Sequence, residues 1–378
     1  MAVDINPVIG RADRRAFIEL PWTLYADDPN WIPPLKSEVA ALIGGPKTNP
    51  WFEHAGAAFF VARRNGQTVG RISAQIDRLV QERHPGLGQW GMFETIDDDE
   101  VAAELIGIAE AWLRGQGMTR AQGPMSLSIW DEPGLLVSGF DTPPSIMMGH
   151  HRPWYERHIL AAGYAGVKDL HSWELRVDGP FPDRVNRIVA AGEKNRRIHV
   201  RQVNKNRFES EAAIILGILN EAWSENWGFV PLTDAEVAHF GKKLKPMIFS
   251  ELVRIAEYDG EPVAFMLTVP DINPLLRELN GKLFPFGWVK LLWHLRHLKA
   301  ARMRVPLMGV RKSLQGTRMA SLLAFMMIEY IRRDASSRYG AKYGEIGWIL
   351  DDNGPMISIA EVIESEITKT YRIYEKDL

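Results

Sequence analysis

Cysteine is absent from all 378 residues. Its absence excludes disulfides, a thiol nucleophile and cysteine-ligated zinc, and it suits a reducing compartment. Long apolar runs are missing too, because no segment supplies the roughly 18 or more apolar residues of a membrane span. The opening stretch MAVDINPVIGRADRRAFIEL lacks the uninterrupted apolar core of a signal peptide, so a cytoplasmic protein is expected. A dominant charge is the third thing lacking. Lys and Arg number 45 against 47 Asp and Glu, a formal charge of -2, which argues against a nucleic-acid field over the whole protein and leaves local patches open. What is present is an ordinary globular composition, 46% hydrophobic and 24% charged. The length suits a pair of domains of the usual ~100–200 residues.

Internal similarity supports that division. ARRNGQTVG (Ala62 to Gly70) and AEYDGEPVA (Ala256 to Ala264) share Ala, Asn/Asp-Gly and Val at equal offsets, and each lies between β-rich runs. Asn-Gly and Asp-Gly are short hairpin signals, since both residues tolerate positive φ. After each hairpin the same order follows. The first copy continues with a strand GQWGMFE, a helix from Asp98 to Gln116, a strand near TRAQGPM, a helix around Trp154 to Ala162 and the strand KDLHSWELRV. The second continues with VPLMGV, a helix from Gln315 to about Ala335, YGEIGWIL, a helix from Gly354 to Ile363 and ITKTYRIYEK. The spacing places a mixed α/β domain over 1–180 and another over 195–378. The proline-bearing seam lies near Val177 to Lys194.

In the second copy a strand ending at Val310 turns into a helix expected to start near Gly316. Such a turn aims unpaired N–H groups and the positive end of a helix dipole at one point, where an anion fits. An ordinary strand-to-helix crossover reads the same way. Arg311, Lys312 and Arg318 around the turn favour a polyanion. Leu322, Leu323, Met326, Tyr330 and Ile331 follow helical spacing and are expected in the core.

The succession from hairpin through VPLMGV, QGTRMA and GWILDDN to TYRIYEK resembles the GNAT superfamily of acyl-CoA-dependent N-acyltransferases. The resemblance implies a Gln/Arg-x-x-Gly-x-Gly/Ala turn for the coenzyme A pyrophosphate. Here that turn is Gln315, Gly316, Thr317, Arg318, Met319 and Ala320, with Arg318 standing where glycine is usual. It also implies that Asn353 opens the next helix at the coenzyme, with Ala360 in place of the usual tyrosine acid and Tyr371 and Tyr374 nearby in sequence. The first copy lacks the turn and puts the acids of TIDDDEVAAEL at its helix start, so it is expected to be a degenerate domain or a wall of the substrate site. Within the superfamily, LPWTLYADDPNWIPPL, GFDTPPSIMM, NEAWSENWGFVPLTDAE, EIGWILDDNGPM and KTYRIYEK resemble bacterial ceramide synthases. Those are tandem GNAT-like proteins that join a fatty acyl group to the amine of a sphingoid base.

An insertion at about 271–304 separates the second hairpin from VPLMGV. From Arg277 to Arg304 it carries Arg277, Lys282, Lys290, Arg296, Lys299, Arg302 and Arg304 against the acid Glu278, interleaved with Phe284, Phe286, Trp288 and Trp293. Basic and aromatic residues on one amphipathic segment suit an anionic bilayer surface, here the inner face of the cytoplasmic membrane. A buried helical hairpin with a basic face is the plain alternative. Stacking on nucleic-acid bases is the weakest reading, because no RNA-binding signature accompanies the segment.

The expected chemistry is direct transfer from acyl-CoA, the cosubstrate, to an amine. The reactants enter from opposite sides of the opening between the strand ending at Val310 and the strand Gly344 to Leu350. Backbone N–H groups of Met308, Gly309 and Val310 are expected to hold the oxyanion. Base candidates are Glu345, Asp352 and Glu225, the last among aromatic residues expected to raise its pKa. His150, His151 and His171 lack metal-ligand spacing, so no metal is expected. The partners expected are long-chain acyl-CoA and a lipid amine. Other functions left open are a tandem transferase for a small amine, peptide or aminoacyl-tRNA, and a lipid-binding protein without catalysis.

Overall fold

A computed structural model describes residues 2–378. The first half of the chain forms β1 (Asp4–Pro7), α1 (Arg11–Leu24), α2 (Lys36–Leu42), β2 (Ala55–Arg64), β3 (Gln67–Asp77), α3 (Arg78–Arg83), β4 (Leu87–Thr95), α4 (Asp99–Gly115), β5 (Arg120–Gly123), β6 (Leu135–Ser138) and α5 (Tyr155–Ala161). Then come β7 (Ala165–Arg176), α6 (Asp183–Glu193), β8 (Ile198–Gln202), α7 (Phe208–Trp223), α8 (Asp234–Leu244), β9 (Val253–Tyr258), β10 (Glu261–Pro270), α9 (Asn273–Leu279), α10 (Gly287–Arg296), β11 (Arg302–Val310), α11 (Arg318–Tyr339), β12 (Tyr343–Leu350), α12 (Gly354–Val362) and β13 (Glu366–Asp377).

These elements divide into two compact units. One holds the chain through Leu170 with Asn273–Phe284 and Lys369–Leu378; the other holds His171–Ile272 and Pro285–Thr368. Sequence reasoning puts the seam at Val177 to Lys194, whereas the division falls inside β7. Within the stretch placed at the seam, Asp183–Glu193 form α6, whose Val185 and Val189 are buried in the second unit's core. Helix α6 needs Gly192 because a Cβ there would sit 2.3 Å from Met326 Sδ of α11.

Each unit repeats one plan. In the first the strand order is β1-β2-β3-β4-β5-β13, and in the second β7-β12-β11-β10-β9-β8. Neighbours such as β2/β3 and β9/β10 are antiparallel. The pairs β4/β5 and β11/β12 are parallel, and their crossover helices are α4 and α11. The hairpin turns are those the dipeptides predict, with Asn65 at φ 55 and Gly66 at φ 76, and Asp259 at φ 55 and Gly260 at φ 85.

Helix α11 organises the second core. Thr317 caps it, and it ends at Gly340, whose φ of 72 suits a residue without a side chain. Its buried face, including Leu323, Met327, Ile328, Ile331 and Ala335, packs on Val305, Met303 and Ile346 of the sheet. Of the five residues expected in the core, Leu323, Met326 and Ile331 are buried in it, while Leu322 and Tyr330 pack against it half-buried.

Candidate functional site

The site begins where two strands part. Strands β11 and β12 pair in parallel from Arg302↔Tyr343 to Val305↔Ile346 and no further. Pro306 follows, and proline has no N–H to offer a neighbour. Past it, β11 stays attached only to β10, through Leu267↔Leu307 to Ala264↔Val310. Arg311 N donates to Val263 O, so antiparallel alternation turns the backbone groups of Met308 and Val310 away from β10 and into the opening. Their carbonyls are already taken. Trp223 Nε1 donates to Met308 O at 2.9 Å, and Gln315 Nε2 donates to Val310 O at 2.9 Å. What the opening receives from this edge is the N–H of Met308 and of Val310. Gly309 bonds toward β10, and the Cβ it lacks would lie 2.9 Å from Phe265, so its role is steric.

The turn above the opening is held by acids of the α7 segment. Arg311 Nη1 meets Glu221 Oε2 at 2.6 Å, and the Lys312 N–H donates to Glu221 Oε1 at 2.9 Å. Gln315 reaches inward, since its amide also donates to Ala222 O at 3.2 Å. It therefore shapes the loop. Gly316 has φ 73 and lies outside the helix; α11 starts at Arg318, later than the Gln315 expected from sequence. Thr317 Oγ1 accepts from Ala320 N at 3.4 Å, leaving the N–H groups of Arg318 and Met319 without helical partners at the mouth. The Arg318 side chain is exposed and forms no ion pair among the described residues. Across the opening, Asn353 caps α12 by accepting from Met356 N at 3.2 Å.

The carboxylates separate sharply. Glu225 stands in solvent with its side chain 85% exposed and bonded to Lys312 Nζ at 2.6 Å. That hydrogen bond holds its carboxyl below the usual range. The expectation of a raised pKa is therefore wrong: the neighbouring aromatics do not enclose it. Asp352 is exposed in the turn between β12 and α12. Glu345, by contrast, is 1% exposed at the foot of the opening. Its Oε1 lies 3.8 Å from Arg304 Nε and its Oε2 3.9 Å from Arg302 Nη1. Arg304 Nη2 donates to Gly347 O at 3.1 Å, and Arg302 pairs with Glu174 of β7. Sequence reasoning missed Glu174 and assigned Arg302 and Arg304 to the insertion's basic face; they lie within β11. Alternation of charge with Met303 and Val305 was the available signal, because a strand sends alternate residues to opposite faces.

Other expected residues lie elsewhere. Tyr371 and Tyr374 belong to the first unit, where their hydroxyls donate to Gly149 O at 3.0 Å and Glu156 Oε1 at 2.7 Å. Both hydroxyls are committed to that unit's packing. The insertion is divided. Its α9 belongs to the first unit, where Asn273 Nδ2 donates to Pro144 O at 2.7 Å. Its α10 belongs to the second and buries none of its residues, with Trp288 46% and Trp293 61% exposed. The buried-hairpin alternative fails for α10. No helix among the described residues is long and apolar enough to cross a membrane.

No protein-family model matches the chain. Relatives do. Protein YghO of Escherichia coli K12 is 42% identical over 376 residues, covering 99% of this chain and 95% of that one. A protein of Caulobacter vibrioides named bacterial ceramide synthase is 42% identical over 378 residues, covering 100% of this chain and 98% of that one. Among solved structures, a tandem GNAT protein from the clavulanic acid biosynthesis pathway superposes with a TM-score of 0.59 at 12% identity, covering 100% of this chain and 98% of that one. A GCN5-related N-acetyltransferase from Sphaerobacter thermophilus gives 0.54 at 13% identity, covering 99% and 95%. At those identities the likeness is one of fold.

Proposed function

The chain belongs to the tandem GNAT family that includes the Caulobacter bacterial ceramide synthase, and from that kinship we propose that it moves a long-chain fatty acyl group from acyl-CoA to the amine of a sphingoid base. It is an N-acyltransferase, and the second unit carries the reaction. One observation bears the most weight: β11 and β12 part beyond Val305↔Ile346 directly beneath the capped start of α11. The pyrophosphate is held by the N–H groups of Arg318 and Met319, with the Arg318 guanidinium adding a charge-assisted contact where the usual glycine offers only closeness. Gln315, Arg311 and Lys312 set the loop's shape through Ala222, Val310, Glu221 and Glu225.

In the opening the amine attacks the thioester carbonyl. A C–N bond forms, the N–H groups of Met308 and Val310 stabilise the oxyanion, and the C–S bond breaks to release the thiolate. Glu345, fixed between Arg302 and Arg304, accepts the amine's proton through water. Asp352, exposed in the turn between β12 and α12, is the second base candidate. The exposed face of α10, with Trp288, Trp293, Lys290 and Arg296, rests on an anionic membrane surface where lipid substrates reside. Test and outcome are direct. Purified protein with hexadecanoyl-CoA and sphinganine should release free thiol and form the amide. Arg318→Glu should raise KM for the thioester about ten-fold or more, and Glu345→Gln should lower kcat more than Asp352→Asn does. Turnover of short acyl-CoA with a water-soluble amine, and none with the lipid pair, would sink the proposal.

A further inference from the structure

The last turn of α7 holds the parted edge of β11 through three successive residues. Glu221 fastens the loop by way of Arg311 and the Lys312 N–H, Ala222 O accepts from Gln315 Nε2 at 3.2 Å, and the half-buried Trp223 donates its indole N–H to Met308 O at 2.9 Å. We propose that Trp223 is a positioning residue for acyl transfer, its N–H standing in for β12 at Met308 so that the edge faces the thioester with donors alone. This role rests on the acyl-CoA reading above and gives a task to a side chain outside the coenzyme turn.

Three observations carry it. The first is direction. Leu307 and Gly309 pair with Leu267 and Phe265 of β10, so the polar groups of Met308 turn the other way, toward the side where β12 pairs lower down. A strand continuing there would bring acceptors as well as donors and would consume the Met308 N–H along with its carbonyl. Indole has one N–H and no acceptor. It therefore satisfies the carbonyl and leaves the N–H unspent. The second is charge. Along the edge the Met308 carbonyl stands between the N–H of Met308 and that of Val310, and a bare carbonyl there would turn the negative end of its dipole toward charge developing on the thioester oxygen. The Trp223 N–H opposes that dipole, as Gln315 Nε2 does for Val310 O at 2.9 Å. The third is support. Arg311 Nη1 meets Glu221 Oε2 at 2.6 Å, and the Cβ that Gly309 lacks would lie 3.3 Å from Ala222 Cβ, so helix end and strand are fixed against each other at this level. An indole on that base is aligned before the reaction begins, and dipoles so placed need no rearrangement at the moment of transfer.

Trp223→Phe removes the N–H and keeps an aromatic ring. In thiol release with hexadecanoyl-CoA and sphinganine, kcat should fall about ten-fold while KM for the thioester stays within about two-fold, because the Arg318 and Met319 contacts are untouched. Trp223→His puts the ring Nε2 where the indole nitrogen stands, and it should turn over at least about three-fold faster than Trp223→Phe. A packing role alone predicts no such rescue, since neither ring fills the volume of the indole. Wild-type kcat in folded Trp223→Phe, a loss confined to KM, or Trp223→His no faster than Trp223→Phe overturns the role. If Trp223→Phe does not fold, Trp223→His decides alone: kcat within about five-fold of wild type supports the role, and a greater loss at an unchanged thermal midpoint overturns it. Wild-type protein that releases no thiol sinks the acyl-CoA reading itself, and this role with it.

Discussion

Gly316 and Arg318 answer the same question differently. Gly316 sits at φ 73, and a Cβ there would meet nothing within 4 Å, so glycine is required by backbone conformation and not by space. Arg318 has ordinary helical geometry, and its side chain points to solvent, so the motif's missing glycine costs the fold nothing. Both residues were legible as a motif; which glycine the backbone needs was not. Burial was harder to read. Glu225 and Glu94 each have aromatic neighbours in sequence, yet Glu225 is in solvent while Glu94 is enclosed, with Tyr25 and Tyr155 hydroxyls both donating to its Oε2 at 2.7 Å. Arg71 lies 3.7 Å from its other oxygen, and Glu132 also acts on it. Burial, the largest cause, pushes the Glu94 carboxyl up to about 7. A carboxyl with a folded pKa above its unfolded value holds its proton more tightly when folded. Its contribution to stability is thus full below about pH 4.5 and is lost as pH rises to 7. That difference amounts to as much as about 3 kcal/mol at 1.36 per unit. Buried His150, His151 and His158, whose pKa values are lowered, act in the opposite sense as pH falls. The comparison with Glu94→Gln isolates the carboxyl. Urea midpoints should show the wild-type protein losing stability relative to this variant between pH 5 and pH 8, and parallel curves would refute the assignment.

At the scale of elements, periodicity did most of the work. The Asn-Gly and Asp-Gly turns, the order of strands and helices after each, and the apolar face of α11 all follow from local signals. The parting of β11 and β12 does not follow from local signals, because register between strands distant in sequence depends on both partners; the opening is expected from the family resemblance, and its start after Val305↔Ile346 is not. The insertion shows the limit of composition. Its charge and aromatic content are uniform, but α9 contributes Leu275 and Leu279 to buried packing while α10 contributes no buried residue. Helix α10 exposes Trp288, Val289, Leu292 and Trp293 beside Lys290 and Arg296, a surface that water solvates poorly and an anionic bilayer accepts. Binding to phosphatidylglycerol vesicles in a flotation assay is expected, and to fall as salt screens the charges. Trp288→Ser with Trp293→Ser should reduce vesicle binding at least five-fold without a change in thermal midpoint, since neither side chain is buried. Equal flotation of the double variant would dissociate α10 from the membrane.

At the scale of the molecule, the repeat was visible but its boundaries were not. Sequence order suggests halves that end at the chain's own midpoint and terminus, whereas the first unit's sheet is completed by β13 from the far end. Local pattern identifies ITKTYRIYEK as a strand, and nothing local says which sheet receives it. The pairing supplies the reason: Tyr374↔Gly123 and Glu375↔Gln122 align it against β5, and Tyr371 and Tyr374 are 1% and 0% exposed. Arg372 clasps Asp169 at 2.7 and 2.8 Å, and Lys369 Nζ donates to Thr142 O at 2.7 Å. Removing this strand would strip an interior sheet position of its partner and empty two tyrosine sites, a loss of about 3–5 kcal/mol for each large side chain. Typical domain stability is about 5–15 kcal/mol, so the first unit should not survive it. A chain ending at Thr368 is therefore expected to show rapid amide hydrogen exchange across β4 and β5, while β9 and β10 keep their protection. The simple halves read from sequence require the reverse, with exchange rising in the second unit and the first left intact.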